Sequence, residues 1–227
     1  MKTLIAVPCF DMVHTDFMRS LMALEKPPDT SFTVVKNTLI HVARNVIAGN
    51  AVKAGFDRVM WFDSDMSFPP DTLLKLSADM DQGMEFVTGL YFTRSKEIKP
   101  VIYSELWWEK TEKGVDVGAG SAYDYPEGIM EIAGAGFGCC LTSVDLIRRV
   151  GDRFGSPFNP LQGFGEDLSF CHRVIQIGGK MYADTSVKCG HVGQFVYDES
   201  FYLKERTEEI ERLKTPTAGD NKIPLKW

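Results

Sequence analysis

Apolar and polar positions alternate in short blocks along the chain. Residues 3–7 form a mostly apolar run closed by Pro8, the pattern of a buried strand that breaks at its C-terminal end. Residues 16–24 fit a helix that stops before Pro27 and Pro28, and 32–35 fit a small strand. In 37–54 the apolar residues Leu39, Ile40, Ala43, Val46, Ile47, Ala51 and Ala54 recur at helical spacing, with Gly55 at the C-cap position. Residues 59–62 are a continuous apolar strand running into Asp63-Ser64-Asp65. Pro69 and Pro70 open a helix from Asp71 to about Met80, and 85–92 read as a further strand.

This alternation predicts a parallel, three-layer α/β sheet. The pattern changes after Val101. Strand-like pieces at 101–106 and 129–132 flank a polar, Gly-rich stretch around 110–128 that suits hairpins or a loop. A strand at 138–142, a short helix at 144–150, a Pro-containing loop at 155–165, a helix at 166–177 and a strand at 180–183 follow. Residues 198–213 read as an exposed helix, and the chain after Thr215 as a loosely held tail beyond a single domain of 1–214.

Composition narrows the classes. Of 227 residues, 44% are hydrophobic and 25% charged, which excludes a disordered, collagen-like or coiled-coil chain. Twenty-five basic against thirty-one acidic residues leave a net charge of −6, which argues against bulk coating of nucleic acid. Five cysteines without framework spacing read as buried reduced thiols. The N-terminus reads as a first strand rather than a signal peptide, and no apolar run reaches membrane-helix length. The expectation is a soluble, cytoplasmic protein.

Asp63 and Asp65 are the leading chemical feature. In an extended strand, residues i and i+2 share a side, so two carboxylates would converge at the C-terminal end of a buried strand, where open α/β sheets bind ligands. Carboxylates that close invite a hard divalent cation, which in turn holds phosphate oxygens. The plain alternative is an Asp-rich turn. In Gly163-Phe164-Gly165-Glu166-Asp167, the acidic pair opens a helix, where the macrodipole keeps a carboxylate ionised as a general base; simple capping is the alternative. His191, flanked by Gly190 and Gly193, could be a third ligand beside Asp63 and Asp65, and a mixed oxygen and nitrogen set suits Mn2+ somewhat better than Mg2+. Zinc on Cys9, His14, Cys189 and His191 competes, at spacings that match no standard module.

Arg44-Asn45 lies on the second helix. If that helix packs through Leu39, Ala43, Val46 and Ile47, Arg44 sits at its edge, where it could neutralise a diphosphate or simply be solvated. The glycine-rich run from Gly134 to Gly138 lacks P-loop chemistry and suits a mobile loop or close approach to a ligand. Trp107, Trp108, Tyr123 and Tyr125 could stack on a sugar or base, or simply pack.

Taken in order, these segments resemble the GT-A glycosyltransferases, in particular the small inverting family-2-like enzymes. The likeness runs from about Thr3 to His191 through Val7-Pro8-Cys9, Ala43-Arg44-Asn45, the Trp61-Phe62-Asp63-Ser64-Asp65 segment, Phe68-Pro69-Pro70-Asp71, the glycine loop, Gly165-Glu166-Asp167-Leu168 and His191. It implies a single-domain α/β fold with a mostly parallel central sheet, helices on both faces and a small second sheet. It implies metal-dependent transfer of a hexosyl or pentosyl group from a nucleotide-diphosphate sugar, with inversion. Asp65 would be the principal metal ligand, Asp63 a metal or ribose contact and His191 a further ligand. Asp167 would be the base, with Glu166 beside it on the acceptor side. Pro8, Cys9, Arg44, Asn45 and Ser64 would serve the donor, and Gly134, Ala135, Gly136 and Phe137 would face the acceptor. The acceptor could be surface polysaccharide, a lipid-linked sugar, protein, or a hydroxylated DNA base of a virus or prophage. Two rival readings remain: a nucleotidyltransferase, with Arg94, Lys96 or Lys99 on a triphosphate, and a non-catalytic sugar-nucleotide-binding module.

Overall fold

The structure is a computed structural model describing residues 1–95, 97–112, 114–193 and Thr207. The chain divides into two units, Met1–Val192 and Gly193–Trp227. The helix expected at 198–213, the 214/215 boundary and the tail belong to the second unit and, apart from Thr207, lie outside the described residues.

The elements of the first unit begin with β1 (Thr3–Cys9), α1 (Thr15–Ala23), β2 (Thr30–Lys36), α2 (Ile40–Lys53), β3 (Arg58–Phe62), β4 (Met66–Ser67), α3 (Thr72–Met80) and β5 (Phe86–Leu90). They continue with β6 (Ile102–Thr111), β7 (Gly114–Ser121), β8 (Ile129–Ile132), β9 (Gly134–Ala135), β10 (Cys139–Ser143), α4 (Val144–Phe154), α5 (Glu166–Gln176), β11 (Met181–Lys188) and β12 (Gly190–His191).

A seven-stranded sheet runs in the order β2-β1-β3-β10-β5-β11-β8. Strands β2, β1, β3, β5 and β11 are parallel, while β10 and β8 run against them. The expected mostly parallel α/β sheet is therefore present. Its central strands read as unbroken apolar runs because both faces are covered. Along β3, Val59 and Trp61 enter one core with α2, α4 and α5, and Met60 and Phe62 enter another with α1 and α3. The buried Trp61 indole donates to Thr142 on β10 at 2.9 Å, so its one polar atom is satisfied. The Gly-rich stretch after β6 forms a hairpin, β6 pairing with β7, and β9 on the other edge of β6 completes the small second sheet.

Several boundaries move for identifiable reasons. Strand β1 continues through Pro8 to Cys9, because past Ala6 it pairs with β2 alone and a missing N–H is tolerated. Helix α2 starts only at Ile40, since Asn37 takes φ +61°, outside helical space. Pro69 and Pro70 precede α3 instead of forming its first turn, and Asp71 is its N-cap. The packing face of α2 is rotated from the expected one. Ala43, Arg44, Ile47, Ala48 and Ala51 are buried, whereas Leu39 and Val46 are exposed.

Candidate active site

A cleft of about 740 Å³ opens at the C-terminal ends of β1, β3 and β5. Pro8, Cys9, Arg44, Asp63, Ser64, Asp65, Phe137, Glu166, Asp167 and His191 all line it. Segments from both ends of the first unit, Pro8 to His191, are thus brought to one place, as the resemblance implies.

Within the cleft, the two aspartates do not share a partner. Strand β3 ends at Phe62, and 63–65 is a turn, so the i and i+2 rule for strands does not reach them. Asp63 Oδ1 accepts from Arg44 Nη2 at 2.8 Å. Asp65 instead faces His191 Nε2 at 3.7 Å through one oxygen and Arg94 Nη2 at 2.9 Å through the other. Burial pushes the Asp65 carboxyl up, but the contact with His191 and the Arg94 charge outweigh it and hold it below its ordinary value.

His191 reaches Asp65 by local strand pairing. Gly190 pairs with Ser67 and His191 with Met66, and Val192 N donates to the Asp65 carbonyl at 2.7 Å. The ring Nδ1 lies 2.9 Å from the Phe92 carbonyl. With Nδ1 against that carbonyl, Nε2 is the ring atom turned toward Asp65, the ring orientation that a metal-ligating histidine needs. Among the described residues no group of three or more His, Cys, Asp or Glu side chains is assembled for a metal. The zinc alternative is not assembled either. Cys9 Sγ donates to the Met12 carbonyl, His14 caps α1, and Cys189 Sγ lies against Cys139 Sγ. All five cysteines are free and buried.

Arg44 occupies a different place from the solvent-facing helix edge expected of it. It is 1% exposed, with its guanidinium over the rings of Trp61 and Phe137. Nε donates to Glu166 Oε1 at 3.1 Å, so one guanidinium joins the carboxylate after β3 to the one opening α5. Burial alone would lower its pKa; Asp63 and Glu166 raise it instead.

Asp167 heads α5 with Oδ1 accepting from the Leu168 N–H at 2.7 Å. Its carboxyl is pushed up to about 6, first by burial and then by the Glu166 charge beside it. The helix dipole expected to keep it low is outweighed. A carboxyl near 6 is still largely ionised at neutral pH and is a stronger base than an ordinary aspartate. A Cβ on Gly165 would lie 2.8 Å from Asp167 Oδ1, so a side chain there would push the carboxylate from this position.

Some expected residues lie elsewhere. Asn45 does not line the cleft; it holds the loop before α5 through Ser156 Oγ, Phe158 N and Asn159 Oδ1. Gly134 and Ala135 form β9 and are buried, and Gly136 lies outside the cleft lining. A Cβ on Gly136 would stand 2.2 Å from Tyr91 Oη, and one on Gly138 2.9 Å from Tyr91 Cζ. These glycines make room for Tyr91, whose hydroxyl accepts from Gly138 N at 3.1 Å. The run is a packed seat for that ring, not a mobile loop. Trp108 donates to the Gln162 carbonyl, Trp107 lies over Gly118, and neither lines the cleft.

Tyr91, Thr93, Arg94 and Ser95 line the cleft without having been assigned to it from the sequence, apart from Arg94 as a triphosphate candidate. Tyr91 continues an apolar strand, and only the paired glycines 136 and 138 hint at a ring nearby.

No family model matches the chain, and no curated protein matches it. Solved structures do. The crystal structure of A197 from STIV superposes with a TM-score of 0.62 at 18% identity, covering 86% of this chain and 87% of that one. The crystal structure of GalNAc-T7 with UDP, GalNAc and Mn2+ gives 0.57 at 12% identity, covering 86% of this chain and 44% of that one. The fold is GT-A-like. No helix among the described residues is long and apolar enough to cross a membrane.

Proposed function

We propose that the chain is a glycosyltransferase that moves a hexosyl or pentosyl group from a nucleotide-diphosphate sugar to an acceptor hydroxyl, with inversion. One observation carries the reading: a base-strength carboxylate, Asp167, shares a cleft with the Asp65–His191 pair at the strand ends of a GT-A-like sheet. The similarity to a structure solved with UDP, GalNAc and Mn2+ supports the nucleotide-sugar and metal parts of this reading.

The residues fit a divalent metal, Mn2+ or Mg2+, provided that it takes most of its ligands from diphosphate and water. Asp65 and His191 would hold it, and Asp63, committed to Arg44, would not. Bound there, the metal supplies electrostatic stabilisation of the departing diphosphate. Pro8, Cys9 and Ser64 line the donor side. Asp167 takes the proton of the acceptor hydroxyl as that oxygen approaches the anomeric carbon from the face opposite the diphosphate. Glu166 cannot share this role while bound to Arg44; it fixes the helix end that carries Asp167. One displacement inverts the anomeric centre through an oxocarbenium-like state.

Arg94 beside Asp65 also meets the nucleotidyltransferase reading, which needs a cation near the reacting phosphates. A screen of sugar nucleotides with Mn2+ separates the two. Release of nucleoside diphosphate is expected; release of pyrophosphate from a nucleoside triphosphate and sugar phosphate would replace this reading with the rival. A rise in melting temperature with the correct donor identifies the base and sugar.

A further inference from the structure

Arg94 is tied into the acidic end of the cleft by two independent bonds. Nη1 donates to the Val192 carbonyl at 2.9 Å, and Nη2 lies 2.9 Å from Asp65 Oδ2. The His191 imidazole approaches the other Asp65 oxygen. The loop that carries Arg94 is braced by its own hydroxyls. Thr93 Oγ1 accepts from Lys99 N at 3.0 Å, and Thr93 and Ser95 hydroxyls both face the Glu97 carbonyl. Arg94 differs from Arg44 in its freedom to move. The Arg44 side chain is 2% exposed and pinned between two carboxylates, while that of Arg94 is 45% exposed and held at one carboxylate and one carbonyl.

We propose that Arg94 is an exchangeable counter-cation: it neutralises Asp65 when the cleft is empty, and it moves onto the donor's diphosphate when a divalent metal takes Asp65. The inference rests on the metal-binding reading of Asp65 and His191. Arg94 holds Oδ2 and His191 faces Oδ1, so a divalent cation bound between Oδ1 and the imidazole would draw on the same carboxylate charge and repel the guanidinium beside it, and metal entry loosens Arg94. Once displaced, a planar fork of donors stands at the cleft wall beside the incoming phosphates, which it suits bidentately. Metal and nucleoside diphosphate therefore bind cooperatively. Metal alone must compete with Arg94, and the diphosphate offers Arg94 a replacement partner.

The test compares Mn2+ binding to the wild-type chain, Arg94→Gln, Arg94→Lys and Asp65→Asn by electron paramagnetic resonance, with and without UDP or GDP. Arg94→Gln is expected to bind Mn2+ alone about tenfold more tightly, as removal of a close charge competitor implies. The same variant should bind UDP or GDP with Mn2+ about tenfold more weakly through loss of a charge-assisted contact. Arg94→Lys keeps the charge and should retain weak binding of Mn2+ alone. If Arg94→Gln leaves Mn2+ affinity unchanged or lower while Asp65→Asn abolishes it, the counter-cation idea falls and the metal site stands. If Asp65→Asn binds Mn2+ as the wild type does, the metal site itself is wrong and the inference falls with it.

Discussion

Arg44 and Asp63 meet at 2.8 Å, and the same guanidinium holds Glu166. The second helix thereby locks the turn after β3 to the start of α5, fixing the separation between the Asp63–Asp65 turn and Asp167. Truncating a buried ion-pair partner costs up to about 3–5 kcal/mol, and the value here should lie toward the low end because Asp63 and Glu166 line the cleft and can be rehydrated. Arg44→Ala should therefore lower stability in urea by about that much. Arg44→Met with Asp63→Asn and Glu166→Gln should recover much of the loss. A single Arg44→Ala variant with wild-type stability would show that the bridge carries no weight.

Asp167 should set the acid limb of the reaction. With its carboxyl at about 6, the active form is the ionised one, so activity should fall as pH drops below about 6. Asp167→Asn should cost about 10²–10⁴-fold in rate and leave donor binding almost intact. A variant that keeps wild-type turnover, or a pH profile flat from about 5 to 7.5, contradicts the assignment.

Stability should also depend on pH. Asp79 on α3 is pushed up to about 6, by burial first and then by the charge of Asp184 on β11. Its folded-state pKa lies above the unfolded one, so the folded chain binds the proton more tightly. The corresponding stabilisation is complete below about 4 and is lost as pH rises through about 6. Asp167 acts with the same sign. Melting temperatures measured between about pH 4 and 7.5 should fall with rising pH, and Asp79→Asn should flatten that slope. An unchanged slope in that variant assigns the dependence elsewhere.

Gly136→Ala should destabilise the chain, because its Cβ would collide with Tyr91 Oη and crowd Val101. Overpacking of this kind costs about 1–3 kcal/mol. Adding Tyr91→Phe removes the nearer atom and should restore part of the loss in a double-mutant cycle. Additive effects would place the strain away from Tyr91.

Much of this architecture was legible in the sequence because strands buried on both faces and helices with a clear period announce themselves. The central run of 59–62, the helix at 166–177 and the strand at 129–132 needed only pattern and caps. Short pieces such as β4, β9 and β12 carry two residues each and have no period to read. The site was legible in its membership more than in its wiring. Asp63, Asp65, Asp167 and His191 stand together, yet the pairing of Asp63 with Arg44 was hidden. It depends on which face of α2 turns inward, and Arg44 is buried only because two carboxylates from distant segments meet it. Asn45 was expected on the donor side with Arg44, but consecutive helical residues point about 100° apart, and it serves the loop before α5 instead.

The pairing of β12 with β4 has a structural consequence. His191 arrives on a two-residue ladder against Met66 and Ser67, whereas β11 ends at Lys188 and completes its place in the large sheet first. The large sheet and α5 are thus complete in sequence by Lys188, and Cys189 still packs in the core and its N–H donates to the Leu90 carbonyl at 2.8 Å. The imidazole hangs from a ladder outside the large sheet, so trimming its side chain should alter the cleft far more than the frame beneath it.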